Sequence, residues 1–155
     1  MTANGAIVPA GSNGDVTIYV GGTSDVVIDV NGYFAAPGAG GLSLYATTPC
    51  RVLDTRNGAG AFSGVLSVNV ESSSCAPPAS AQAYVLNATV VPSTSLGYLT
   101  LWPAGQTQPQ VSTLNAYDGV IASNMAIVPT INGSINSFAA NPTQLIIDLF
   151  GYYAP

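Results

Sequence analysis

The stretch that decides the fold is LIIDLFGYY at residues 145–153, an apolar run interrupted by one aspartate. It is nearly repeated as VVIDVNGYF at residues 26–34. Both runs have the length and the β-branched composition of a strand, and neither places apolar residues at helical spacing. The two runs therefore predict β-strands at both ends of a 155-residue chain.

Four further segments have the alternation or the apolar composition of strands. They are residues 16–20, 66–70, 84–91 and 98–102. Asn-Gly and Asp-Gly pairs, which are typical of tight turns, lie between strands. The 17 glycines and 11 prolines argue against long helices. The sequence therefore predicts an all-β fold, an antiparallel β-sandwich built from repeated hairpin units, rather than a closed barrel.

The similarity between the two ends of the chain extends beyond these runs. NGAIVP at residues 4–9 returns as NMAIVP at residues 124–129, and Asn-Gly at 13–14 returns at 132–133. A third, fainter copy begins at Asn87. An internal repeat of this kind is typical of proteins built from stacked or tandem units.

The repeat predicts how the chain is divided. We expect a β-sandwich module over residues 42–155, with a Cys-containing half followed by hairpin units at 84–119 and 120–155. Residues 1–36 would be a hairpin unit equivalent to 120–155, carried over from a preceding repeat. The Gly-rich stretch at 38–41 favours this division. The other division, a unit over 1–119 with 120–155 opening the next copy, stays open.

Composition excludes several kinds of chemistry. Charged residues make up 6% of the chain, against roughly 25% in an average protein. The only cations are Arg51 and Arg56, and the chain has no lysine and no histidine. A Ser-His-Asp triad, a His-ligated zinc site, a P-loop lysine and a Schiff-base lysine are thereby excluded. We expect no enzyme activity, no cofactor and no metal site.

The same composition limits the expected partners. A net charge of −5 leaves almost nothing to neutralise phosphates, so we expect no nucleic acid partner. No apolar stretch approaches the ~18 residues of a membrane span, so we expect no membrane insertion.

The chain has two cysteines, Cys50 and Cys75, in surroundings rich in turn residues. In an extracellular chain we expect them to form one disulfide that closes a loop of about two dozen residues, worth roughly 3 kcal/mol by loop entropy. Two separate reduced thiols are the alternative.

Several motifs resemble a known kind of module. They are TPCRVLDTR at 48–56, LNATVVP at 86–92, GYLTLWPAG at 97–105 and GYY at 151–153. Together they are similar to a tandem-repeat β module of large secreted or cell-surface proteins of environmental bacteria. The resemblance implies an extracellular or cell-surface location and tandem use, and it supplies no catalytic residues.

The best candidates for ligand binding are three aromatic residues with amides near them. Aromatic rings cover the apolar faces of sugar rings, while amides bind the hydroxyls. The aromatic candidates are Tyr98, Trp102 and Tyr117, and the amides are Gln106, Gln108, Gln110 and Asn115. Trp102 aligns with Tyr19 and Phe138 in the repeat, which favours a core position for it.

Charged residues form a second group of candidates. Arg51, Asp54 and Arg56 lie within six residues. An arginine there could offer its planar donor fork to a carboxylate or to sugar hydroxyls. We favour an internal ion pair that holds the disulfide loop. Asp29 and Asp148, at equivalent repeat positions, could form a catalytic or calcium-binding pair. We favour strand aspartates that accept backbone or tyrosine hydrogen bonds.

These observations predict a non-catalytic extracellular binding module for a polysaccharide or cell-surface glycan, which targets or tethers a larger secreted protein. The alternative is a structural or adhesive repeat that self-associates by β-strand complementation into surface arrays or filaments. A lone hairpin is marginal in water. We therefore expect residues 1–36 to fold back onto the rest of the chain, in preference to completing a neighbouring molecule.

Overall fold

The computed structural model describes residues 5, 8, 10–30, 32–36 and 38–155. Within them, the regular structure lies in seven strands and one 3-10 turn at Thr55–Asn57. The strands are β1 (Ser43–Asp54), β2 (Phe62–Asn69), β3 (Ala83–Pro92), β4 (Gly97–Pro103), β5 (Leu114–Ala116), β6 (Ala122–Pro129) and β7 (Ser134–Ala154). No helix long and apolar enough to cross a membrane occurs among the described residues.

The sheet is organised around β7, which is 21 residues long. Its first half pairs with β2 on one side and with β4 on the other. Its second half pairs with β1 and with β3. β5 extends the sheet beyond β4, and β6 extends it beyond β3. Every pairing is antiparallel, which confirms the predicted all-β antiparallel class.

The expected sandwich needs correction, because the sheet is nearly closed into a barrel-like arrangement. A sandwich has two separate sheets packed face to face. Here the first half of β7 pairs with β2 and β4, and its second half pairs with β1 and β3. One continuous strand therefore joins all of these strands into a single hydrogen-bonded sheet. Pro142 lies in β7 just before Thr143, where the chain pairs with β2 and β3. The sequence predicted a strand only within residues 145–153 and missed the first half of β7.

Alternating side chains build the core inside this sheet. Leu86, Ala88 and Val90 of β3 are fully buried and pack in one cluster with apolar residues of β7. Those residues of β7 are Ile135, Ala139, Leu145, Ile147 and Leu149. The spacing of two is that of a strand with one face buried. Burying each large aliphatic side chain contributes about 1.5–3 kcal/mol.

The predicted disulfide between Cys50 and Cys75 is present, with 5.6 Å between the Cα atoms. Cys50 lies in β1, and Cys75 follows β2 and packs against the core cluster. β1 itself was not predicted. It contains Pro49, and its register with β7 shifts twice, between Ala46 and Cys50 and again between Arg51 and Leu53, so its pattern does not alternate regularly.

The strands predicted at residues 16–20 and 26–30 do not form. The expected folding back of residues 1–36 into the sheet is not seen for residues 10–30 and 32–36, which are exposed, although two described residues of the segment contact β6 and β7. The Gly5 N–H donates to Asn124 Oδ1 at 2.7 Å, and the Phe34 ring lies 6.1 Å from that of Tyr153. The physical reason is that β6 and β7 already hold the positions this repeat copy would take.

Candidate functional site

The outer face of β4 presents three side chains that alternate with the core residues Leu99 and Leu101. These outward residues are Tyr98, Thr100 and Trp102, set by the alternation of a strand. Tyr98 lies opposite Asn115 of β5 in the register of the pair. The sheet therefore places Tyr98 beside Asn115, and Tyr117 follows two residues further along.

The loop after β4 folds back over this outer face. The Thr100 hydroxyl donates to the Val111 carbonyl at 2.6 Å. The Leu101 N–H donates to Thr113 Oγ1 at 2.9 Å. The Trp102 indole N–H donates to the Gln106 carbonyl at 3.0 Å. Residues 104–113 are thereby anchored to β4 along three consecutive positions.

Trp102 lies beneath this loop and is only 4% exposed. It is not a member of the central apolar cluster. Trp102 is therefore buried, as expected, but it lies on the outer face of the sheet under a loop and not in the central core. A ring so covered is not accessible for stacking on a ligand, and its position supports the loop instead.

The loop and the sheet edge border an open groove of about 500 Å³. Its lining residues are Tyr98, Gln108, Pro109, Gln110, Val111, Ser112, Asn115 and Tyr117. Five of the candidates from the sequence, Tyr98, Gln108, Gln110, Asn115 and Tyr117, are thus brought together. Such a volume is within the usual range of small-molecule sites, ~300–1,000 Å³.

Hydrogen bonds orient the polar wall of the groove. The Ser112 hydroxyl donates to Asn115 Oδ1 at 3.1 Å, and Asn115 Nδ2 donates to the Tyr117 hydroxyl at 3.4 Å. Tyr117 remains 54% exposed. The groove therefore combines an accessible aromatic ring with one amide, that of Asn115, whose orientation is set by its neighbours.

Sequence reasoning missed Phe138 as a part of this region. Its ring centroid lies 5.6 Å from that of Tyr98. Phe138 pairs with Thr100, so Tyr98 is its diagonal neighbour across β4 and β7. Phe138 therefore packs beside the Tyr98 ring on the β7 side of β4. The available signal was its repeat equivalence with Trp102, which showed an aromatic position but not its face.

Two other candidates lie outside the groove. The Gln106 side chain does not line it, and this residue contributes its carbonyl to Trp102. Arg56 is bound to Asp54 through two hydrogen bonds, from Nε at 2.8 Å and from a terminal guanidinium nitrogen at 2.7 Å. Arg56 is therefore not a groove residue.

Arg56 belongs to a cluster of four charges where β1 ends against β7. Arg51 donates to Asp54 at 3.0 Å and also binds Asp148. Hydrogen bonds from the Arg56 side chain lower the pKa of Asp54 to about 2. This arrangement is the internal ion pair favoured from the sequence, close to the disulfide. Asp148 accepts from an arginine, where a backbone or tyrosine partner was expected.

No group of three or more potential metal ligands occurs in the part of the chain that the structure describes. The comparisons with known proteins give no further identification. No family model, no curated protein and no solved structure matches the chain.

Proposed function

We propose that this chain is a non-catalytic carbohydrate-binding module whose ligand lies in the groove of Tyr98, Gln108, Asn115 and Tyr117. The observation that supports it best is that these four residues, chosen from the sequence for sugar chemistry, line one groove. The rings of Tyr98 and Tyr117 would cover apolar sugar faces, and the amides would bind hydroxyls.

The rigidity of the groove supports this function. Tyr98 is backed by Phe138, and the loop opposite it is anchored on β4 by hydrogen bonds from Thr100, Leu101 and Trp102. A site that is already ordered loses less side-chain and loop entropy on binding. A weak stacking interaction can then give useful affinity.

The charge of the groove favours an uncharged ligand. All eight lining residues are uncharged, and the chain has a net charge of −5. An anionic glycan would find no cation there and would be repelled by the protein as a whole. We therefore propose neutral polysaccharides such as cellulose, xylan or chitin as the ligand class, met outside the cell by a larger secreted or surface protein. The disulfide is consistent with an oxidising compartment.

The test is retention of the full chain on insoluble cellulose, xylan and chitin, with polygalacturonate as the anionic comparison. We expect retention on at least one neutral polysaccharide and none on polygalacturonate. Tyr98→Ala and Tyr117→Ala should each weaken binding about tenfold, which corresponds to ~1.4 kcal/mol. Tyr98→Phe should bind nearly as well as the native chain, because the ring is kept.

Tyr45→Ala is the matched control. Tyr45 is another partly exposed tyrosine, stacked on Tyr152 at 5.3 Å and outside the groove. Its removal should leave retention unchanged. The proposal is wrong if no neutral polysaccharide retains the native chain, or if folded Tyr98→Ala and Tyr117→Ala variants bind as tightly as Tyr45→Ala.

A further inference from the structure

The N-terminal repeat copy exposes the side chains that its equivalent buries. Ile28 is 59% exposed and Val30 is 82% exposed. Their equivalents in β7, Ile147 and Leu149, are 0% and 1% exposed. Val8, Val16, Val26 and Phe34 are likewise exposed, while Val128, Ile135, Leu145 and Tyr153 are buried. One sequence pattern thus occurs twice, once packed and once open to solvent.

The exposed copy, residues 8–34, is called the open copy here, and it shares one glycine conformation with the packed copy at residues 120–155. Gly14, between the two strand sequences of the N-terminal copy, has φ +79°. Gly133, its equivalent between β6 and β7, has φ +76°. Gly97, the equivalent at the start of β4, has φ +78°. This left-handed conformation favours glycine, so all three copies share a left-handed glycine immediately before or at the start of the second strand sequence.

Two further residues of the open copy, Gly32 and Asp29, have the same residue type as β7 residues that contact β1 in the packed copy. A Cβ atom at Gly151 would lie 2.6 Å from the backbone oxygen of Tyr45, so β1 requires glycine there. Its equivalent Gly32 has nothing within 4 Å. Asp148 binds Arg51, whereas its equivalent Asp29 is exposed. Residues 8–34 therefore keep a glycine and a carboxylate suited to a β1-like strand.

We propose that residues 16–34 are a second completing strand, which takes the place of β7 in another module of this kind. Its partner is an acceptor with the architecture of residues 43–129, in which β1 to β6 lack their own β7. This inference is independent of carbohydrate binding, because the groove involves residues 98–117 of the acceptor.

The sheet of the packed module shows what such an acceptor gains. β7 is the strand with which β1, β2, β3 and β4 all pair. An acceptor without it exposes strand edges and an open core, which favours strand addition. The acceptor of this chain is already filled by its own β7, so the open copy is available to a second module that lacks its own β7.

Register also allows the open copy to be tested within one chain. Ser43 lies opposite Ala154 in the pairing of β1 with β7. If residues 26–34 replaced 145–153, Ala35 would take the place of Ala154 beside Ser43. Residues 36–42 would then need only to close a short loop between neighbouring strands. The full chain can therefore be used to measure the exchange.

The experiment compares full-length Ile147→Asp, Ile28→Asp and the double variant by hydrogen exchange of residues 16–30 and 145–149. In the native chain and in Ile28→Asp, only 145–149 should be protected. In Ile147→Asp, a buried carboxylate without a partner should displace the native β7. Protection at 16–30 should then rise at least about a hundredfold. The double variant should lose protection in both segments.

The proposal fails if residues 16–30 stay unprotected in Ile147→Asp, whether the chain unfolds or keeps its own β7 in place. It also fails if the double variant protects either segment as well as the single variants do. Ile147→Val is the control for a change at this position without a charge, and it should leave the native pattern of protection.

Discussion

At the scale of single residues, the repeat supplies pairs that have the same sequence context and opposite environments. Gly151 and Gly32 are such a pair, because one faces the Tyr45 backbone and the other faces open space. Asp148 and Asp29 are another. If the same substitution is made at both members of a pair, the difference between the two variants measures the effect of the packed environment. The effect of the residue type itself is common to both variants.

Gly151→Ala should destabilise the module by about 2 kcal/mol, as expected for overpacking against a backbone that has no room to move. Gly32→Ala should leave stability unchanged, since a Cβ there meets no atom within 4 Å. The midpoints of urea unfolding measure both. Equal midpoints for the two variants would contradict the close contact of β7 with β1.

Acid should weaken the module through Asp54. The Arg56 hydrogen bonds hold the pKa of this carboxyl at about 2, below its ordinary value of 3.8. A carboxyl with a lowered folded-state pKa stabilises the fold above its unfolded-state pKa, and this contribution is lost as pH falls through the folded-state pKa. We therefore expect the melting temperature to fall between about pH 4 and pH 2.

Asp54→Asn should lower the melting temperature near neutral pH and flatten the decline in acid. Asp25→Asn, which changes an exposed aspartate of the N-terminal segment, is the comparison and should keep the native profile. An Asp54→Asn chain with the native acid profile would show that other groups cause the decline.

At the scale of elements, the sequence predicted strands where apolar residues alternate or run together. β3, β4 and the second half of β7 meet this condition. β1 does not, because Pro49 and two register shifts interrupt it. The number of partners of β7 was also beyond prediction, since the pattern of one strand shows which face is buried and not which strands lie beside it.

The candidate groove was predictable to the same degree. The aromatic and amide residues Tyr98, Gln108, Asn115 and Tyr117 could be chosen by chemistry. Trp102 could not be placed, because an outward-facing strand position is buried only when a loop covers it. That covering depends on the hydrogen bonds of residues 104–113, which no local pattern shows.

The disulfide is the one covalent connection between elements among the described residues. Cys50→Ser combined with Cys75→Ser should lower the free energy of unfolding by roughly 3 kcal/mol, because the unfolded chain regains the entropy of an open loop. Reduction of the native chain should give the same shift in urea. A reductant should not affect the double variant, and a native chain unaffected by reduction would contradict this role.

At the scale of the whole molecule, the structure contrasts an ordered module with an exposed segment. Brief chymotrypsin treatment should cleave at Tyr19, Tyr33 or Phe34 and leave residues 43–154 intact, because exposed backbone without strand pairing is easily cleaved. Mass spectrometry of the products measures this. Cleavage inside β3 or β7 at the same rate would contradict the ordered module.

The position of β7 also determines when the fold can form. Ser43 of β1 pairs with Ala154 of β7. The first strand of the sheet therefore cannot pair until the last strand has been synthesised. As the chain leaves a ribosome, β1, β2 and β4 have no long partner until β7 emerges. Pairing over such sequence separations makes folding slow. β1 and β2 would therefore stay unpaired until almost all of the module has been synthesised.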